Sequence, residues 1–501
     1  MPRRWSVLGY GRARVGGDAG RGESVKPGDL IEYRVVYTNR STKAVRDVQA
    51  ELPIPEGLEY TRPKIAENNY IDTLVHDKLH KLRIVPSEVC TDEVFLRRLH
   101  LRMFGDVWRW AATLVAAVAI FAAALYSDFK AYAAVAREHK EVLSSYQPGT
   151  AIAGAARYGK MMVKTRDVVV APLGRDAKKG PLILAAGKPV LTVVFVGETA
   201  RAQNFGLNGY ARDTTPELAK RGVINFTDVR PCGTSTAVSV PCMMSNLTRD
   251  GYSYDAGVRQ ENLLDVLQRA GLAVLWIDNQ SGCKGLCDRT PNASTTDLKV
   301  PMLCQGGECH DEVMLRDLDK RLAELPAERR ARGTVIFMHQ MGSHGPAYHK
   351  RVPAAFKRFM PECASNALQE CERQQVVNAY DNTIAYTDHF LAETIGWLKK
   401  RPGPGAMVYV ADHGESLGEN NLYLHGLPYA IAPDVQKQVP WITWTSPAFA
   451  QQRGLRKPCL LDKQMAPLSH DHYFHSVMGI AGVRSAEYQP ALDIYASCMA
   501  P

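Results

Sequence analysis

From Ala111 to Leu125 the sequence is an apolar run whose only polar member is Thr113, bracketed by Trp108, Trp110 and Tyr126. A run like this is at home in a protein core or in a bilayer. Its 17 residues from Trp110 to Tyr126 sit at the lower edge of the length that spans hydrocarbon. The bracketing aromatics favour the bilayer, and flanking charge gives the orientation. Arg97, Arg98, Arg102 and Arg109 crowd the N-terminal side, against Lys130 and Arg137 on the other. A single transmembrane helix over residues 108–126 is therefore expected, with a cytoplasmic N-terminus and an exported C-terminal part. The segment begins too far into the chain for an ordinary cleaved signal peptide.

Cysteine usage points to the same compartment. Of eleven cysteines, eight fall into close pairs, Cys232/Cys242, Cys283/Cys287, Cys304/Cys309 and Cys363/Cys371, all beyond Tyr126. Their spacings do not recur as zinc knuckles do, so disulfides in an oxidising compartment are the favoured reading. Cys90, Cys459 and Cys498 receive no role. The 46% hydrophobic and 23% charged fractions are those of a globular protein. A net charge of +9 suits anionic lipid surfaces, while the absence of basic runs interleaved with aromatics excludes nucleic acid as an expected partner.

Residues 1–65 include "VKPGDLIEYRVVYTNRSTKAVRDVQAELPIPEG", an alternating pattern with turn punctuation that reads as short sandwich strands. Residues 66–105 read as two helices around Pro86-Ser87. Residues 127–186 hold an amphipathic, membrane-proximal helix from Ser127 to Tyr146 and a linker. From residue 187 to 501 buried strands alternate with helices, which predicts an α/β domain on a mainly parallel sheet. The expected strands are Val190–Val196, Leu272–Ile277, Thr334–Met338 and Met407–Ala411. The expected helices are Glu261–Ala270, Asp311–Leu325, Val376–Lys400 and Asp471–Ile480.

Three of these strands run into polar clusters: Gly197-Glu198-Thr199-Ala200-Arg201, His339-Gln340-Met341-Gly342-Ser343-His344-Gly345 and Asp412-His413-Gly414-Glu415-Ser416. Working groups in open α/β sheets gather beyond the carboxyl ends of strands, so Glu198, Asp412 and His413 should meet on one edge. Carboxylates with an imidazole are what a hydrolytic Zn2+ prefers. The loop "PCGTSTAVSVPCMM" from Pro231 to Met244 places Thr234, Ser235 and Thr236 between paired cysteines. A metal beside such a hydroxyl can turn it from a helix cap into a nucleophile.

The strings "GETARAQNFGLNGYARDTTPEL" (197–218), "CGTSTAVSVPCM" (232–243), "HQMGSHGPAY" (339–348), "NAYDNTIAYTD" (378–388) and "DHGESLGENNLYLHG" (412–426) resemble the lipid A phosphoethanolamine transferases. That family includes the mobile colistin-resistance enzymes and lies in the alkaline phosphatase/sulfatase-like superfamily. The resemblance runs from about residue 104 to the end. It implies a zinc enzyme with Thr236 as nucleophile and Glu198, Thr236, Asp412 and His413 as ligands. It also implies substrate or second-metal contacts from His344 and His425, which would assist catalysis, and a headgroup or phosphate contact from Lys284. The family's disulfides match all four close pairs.

The implied partners are a phosphatidylethanolamine donor and a lipid A acceptor, the implied location a single-pass inner-membrane protein with a periplasmic catalytic domain, and a monomer is expected. Lipid A so modified would lower susceptibility to polymyxins. The front of the chain departs from the family, whose members open with a bundle of transmembrane helices. Residues 1–65 resemble immunoglobulin-like modules of bacterial surface proteins, and residues 69–99 the opening of a different bacterial family. Three alternatives follow: a phosphoglycerol transferase, another hydrolase of the superfamily, or a defective fusion with a non-catalytic surface role. A sulfatase proper would need Cys or Ser followed by x-Pro-x-Arg, which does not occur.

Overall fold

The computed structural model describes residues 107–127, 169–180, 188–295 and 298–500. The expectations for residues 1–65 and 66–105, and for the amphipathic helix after Ser127, lie outside them, as does Cys90. Val107–Ser127 is a helix, α1. The side chains of Leu114, Val115, Val118, Ile120 and Phe121 on it are exposed. Among the described residues no helix, α1 included, is long and apolar enough to cross a membrane, so a helix forms over residues 108–126 as expected but its spanning the bilayer is not shown.

A seven-stranded sheet organises the rest. Its strands are β1 (Leu191–Gly197), β2 (Ile224–Phe226), β3 (Ala273–Asp278), β4 (Asn292–Ser294), β5 (Thr334–His339), β6 (Gly405–Ala411) and β7 (Trp441–Thr445). In space they run β2-β7-β6-β1-β5-β3-β4. The five from β6 to β4 are parallel, while β7 runs antiparallel to both its neighbours. The sheet is thus mixed. Strands β3, β5 and β6 are buried throughout, and β1 is buried past its first residue, which is why they appear in the sequence as unbroken apolar runs. Each Val or Phe so covered contributes about 1.5–3 kcal/mol over an exposed one.

Helices α2 (Thr236–Met243), α3 (Leu263–Arg269), α4 (Leu318–Glu324), α5 (Arg373–Lys399) and α6 (Tyr473–Ala481) flank the sheet. Asn262 and Asp265 close a capping box that starts α3. On α5, Phe390 meets Phe195 of β1 edge to face with ring centroids 5.4 Å apart. The helix expected over Asp311–Leu325 is interrupted: a 3-10 turn covers Asp311–Leu315, Arg316 is extended, and Asp317 takes a left-handed backbone before α4. The first turn is tied elsewhere, since the Asp311 carboxylate accepts from Met341 N and Gly342 N in the loop after β5.

The four close cysteine pairs are bonded as Cys232–Cys242, Cys283–Cys287, Cys304–Cys309 and Cys363–Cys371. A fifth bond, Cys459–Cys498, joins two cysteines that the sequence left without a role.

Candidate metal centre and nucleophile

Parallel register brings the site together. Gly197 of β1 pairs with Ala411 of β6, so the next residues, Glu198 and Asp412, emerge side by side. Val196 pairs with His339 of β5, and His339 with Asp278 of β3, which adds their ends to the same edge. Thr199 then turns with φ 54°, a left-handed conformation a β-branched residue adopts only where its surroundings enforce it. That turn lets its N–H donate to Asp412 Oδ1 at 2.9 Å while its hydroxyl donates to Glu198 Oε1 at 2.6 Å. His413 N–H donates to the same Asp412 Oδ1 at 2.8 Å.

Thr236 is the first residue of α2, with Ser235 in the cap position. Its hydroxyl is therefore free of capping duty and sits 3.0 Å and 3.1 Å from the two oxygens of Glu198 and 3.3 Å from His413 Nε2. His413 Nδ1 lies 2.9 Å from the Gly414 carbonyl, which can only accept. The ring proton is held there, so Nε2 offers its lone pair to the cluster. Glu198, Asp412 and His413 are all buried, and their ligand atoms lie within 4.8 Å of one another. Asp412 Oδ2 is buried with no hydrogen-bond partner, 3.3 Å from His413 Nε2.

A dry pair of carboxylates beside an imidazole lone pair is the arrangement a divalent cation completes. Burial pushes the Asp412 carboxyl up to about 6 against the backbone N–H groups that it accepts, and the His413 imidazole down to about 4, the latter helped by His425. A bound cation reverses both tendencies. Two carboxylates, one imidazole and a hydroxyl are a donor set that suits Zn2+.

His425 lies beside His413 with centroids 4.3 Å apart and the rings tilted by 44°, and His344 meets His425 edge to face at 5.8 Å. His425 Nδ1 is 2.8 Å from Glu415 Oε2, and Tyr348 donates its hydroxyl to Glu415 Oε1 at 2.7 Å. Burial pushes the Glu415 carboxyl up to about 8. His413, Glu415 and His425 form a second group with metal-ligand spacing. Lys284 is not joined to these groups. Its ammonium donates to Ser281 Oγ at 2.6 Å, inside the Cys283–Cys287 turn region, although that segment continues from Gln280, which donates to Glu198 Oε2 at 3.0 Å.

Beyond the expected residues the structure adds Glu415, Gln280 and a buried pair at the strand ends. His339 Nδ1 lies 3.0 Å from Asp278 Oδ2, and His339 Nε2 is buried without a hydrogen bond, 3.9 Å from Glu198 Oε2. Strand-end logic could have found this pair, since Asp278 directly follows the expected strand Leu272–Ile277.

Residues 191–483 match the Sulfatase family. The phosphoethanolamine transferase EptA of Escherichia coli strain K12 is 42% identical over 401 residues, covering 79% of this chain and 72% of that protein. The chain belongs to the sulfatase family, on its phosphoethanolamine transferase branch. This family member is also 48% identical to the phosphatidylethanolamine transferase Mcr-1 of Escherichia coli over 267 residues, 52% of this chain and 49% of that one. Among solved structures, the integral membrane lipooligosaccharide phosphoethanolamine transferase A of Neisseria meningitidis superposes with a TM-score of 0.69 at 37% identity. It covers 87% of this chain and 79% of its own. The soluble domain of that enzyme superposes at 0.63 and 43% identity, over 67% of this chain and 99% of its own.

Proposed function

We propose that this transferase moves phosphoethanolamine from phosphatidylethanolamine to a phosphate of lipid A, through a covalent intermediate on Thr236 at a zinc site. The observation that carries the reading is the Thr236 hydroxyl set against Glu198 and His413 beside the unpartnered oxygen of Asp412. Glu198, Thr236, Asp412 and His413 would hold the metal. When bound, Zn2+ supplies Lewis-acid stabilisation of the phosphoryl oxygens and acidifies the hydroxyl.

Thr236 Oγ1 attacks the donor phosphorus, its proton passing to the neighbouring Glu198 carboxylate, since the free lone pair of His413 would be taken by the metal. The new Oγ1–P bond replaces the bond to the glycerol oxygen, and diacylglycerol leaves. A lipid A phosphate oxygen then attacks the same phosphorus and restores Thr236. His344 and His425, at the mouth beside His413, take part in proton transfer and in holding charge in this second step. Lys284 contacts the headgroup or phosphate from the adjacent turn. The added ammonium weakens the pull of the outer surface on cationic peptides such as polymyxins.

In this reading the apolar face of α1 holds the chain at the membrane, without that helix crossing it alone, and residues 187–501 are a periplasmic domain. The charge asymmetry around the apolar run and the exposure of its apolar side chains support the assignment. Disulfide-bonded cysteines in the domain agree with export. The test is mass spectrometry of lipid A from cells producing the full chain. Added phosphoethanolamine on lipid A, absent with Thr236→Ala, is expected; unmodified lipid A from cells with folded, zinc-loaded protein contradicts the acceptor assignment.

A further inference from the structure

We propose that Arg351 and Asp311 are positioning residues that hold His344 at the mouth of the cluster, anchored on the Cys304–Cys309 hairpin. The proposal rests on the role given above to His344 in the second transfer step.

The loop after β5 leads from His339 to His344, and three grips fix it. Asp311 is buried and accepts from Met341 N at 2.8 Å and Gly342 N at 2.9 Å. Gly342 has φ +50°, and a Cβ there would lie 2.6 Å from the Glu198 carbonyl oxygen, so the loop can pass Glu198 this closely only as glycine. Ser343 N donates to that same carbonyl at 3.0 Å. The far end is held by Arg351, whose Nε donates to the His344 carbonyl at 3.0 Å and whose Nη1 pairs with Glu308. Glu308 and Cys309 form one strand of the hairpin that the Cys304–Cys309 bond closes, and Asp311 follows after His310. One short segment, 304–311, therefore grips both ends of the loop.

Stability alone does not account for the arrangement. The Arg351 side chain is 7% exposed, and a guanidinium at that depth is often no more stabilising than an apolar residue of similar volume. What the fork supplies is direction: one arm on the His344 backbone and the other on a cross-linked hairpin. Arg351 reaches the His344 carbonyl and not its ring, so it acts through where His344 stands.

The experiment compares Arg351→Met, Arg351→Lys, Glu308→Gln and His344→Ala in the full chain, with phosphatidylethanolamine as donor and purified lipid A as acceptor. Zinc content, the rate of adduct formation on Thr236 and steady-state turnover are each measured. Arg351→Met should keep its zinc and form the adduct at the wild-type rate, yet accumulate it. Its turnover should fall on the order of 10²-fold, the scale of an ångström of misplacement. Arg351→Lys, with the charge but no fork, should recover part of the loss.

Adding His344→Ala to Arg351→Met should cost little more than either alone, since both remove one function. Glu308→Gln, at the exposed end of the pair, keeps the measurement available if Arg351→Met does not fold, and should shift turnover in the same direction by less. Equal losses of zinc or of adduct formation would overturn the proposal, as would fully additive effects with His344→Ala. A wild type that forms no adduct on Thr236 would instead show that the proposed function fails, and this proposal with it.

Discussion

Asp412 shows how one atom can define a site. Its Oδ1 accepts two backbone N–H groups, while its Oδ2, equally buried, accepts none. A carboxylate with half its capacity unused in a dry pocket is costly unless a cation takes the remainder. Asp412→Asn keeps an acceptor for the two N–H groups and removes the charge. Zinc affinity, measured by competition with a chelator, should fall by more than the roughly 10–100-fold typical of losing an outer-shell partner. The metal-free variant should melt no lower than metal-free wild type. Unchanged affinity would remove Asp412 from the ligand set.

The sequence made Asp412, His413 and Glu198 legible because each follows an apolar strand. It hid Glu415, because an acid four residues past a strand looks solvated until Tyr348 and His425 are seen closing over it. His339 stood at the head of a polar cluster, but no spacing in the sequence pairs it with Asp278 from a separate strand end.

At the scale of elements, the long buried strands β1, β3, β5 and β6 were readable from apolar runs. The strands β2 and β4 were not, since three residues carry no periodicity. The antiparallel β7 escaped as well, which is why a mainly parallel sheet was expected and a mixed one found. The Cys459–Cys498 bond spans 39 residues, and no local spacing announces it.

Helix α5 carries a further consequence. His389 bridges two acids from other segments, Nδ1 lying 2.9 Å from Glu217 and Nε2 3.4 Å from Glu312. Hydrogen bonding to Glu312, with Glu217 adding to it, holds the imidazole up to about 9. The folded form thus binds this proton more tightly than the unfolded chain. Its stabilisation is complete below the ordinary histidine value near 6.5 and is lost as pH climbs through 9. Burial raises neighbouring Asp388 to about 7, which adds loss in the same direction. Because the bridge is partly exposed, about 1 kcal/mol is the expected contribution from His389. Urea midpoints should fall from pH 6.5 to 9, and His389→Gln should be less stable at pH 6 and show a shallower fall. An unchanged slope in the variant would refute the linkage.

Across the whole molecule, the fold does one thing for the chemistry: it aligns strand ends so that Glu198, Asp412 and His413 converge, then delivers Thr236 to them at the start of α2 within the loop that Cys232–Cys242 closes. Family membership accounts for the scaffold, and the Thr236 contacts account for why a hydroxyl would react there. The most direct measurement is peptide mapping by mass spectrometry after incubating the zinc-loaded full chain with phosphatidylethanolamine and no acceptor. The account predicts phosphoethanolamine on the peptide containing Thr236, discharged when lipid A is added and absent in Thr236→Ala. Phosphoethanolamine on another residue, or transfer by Thr236→Ala at the wild-type rate, would contradict it.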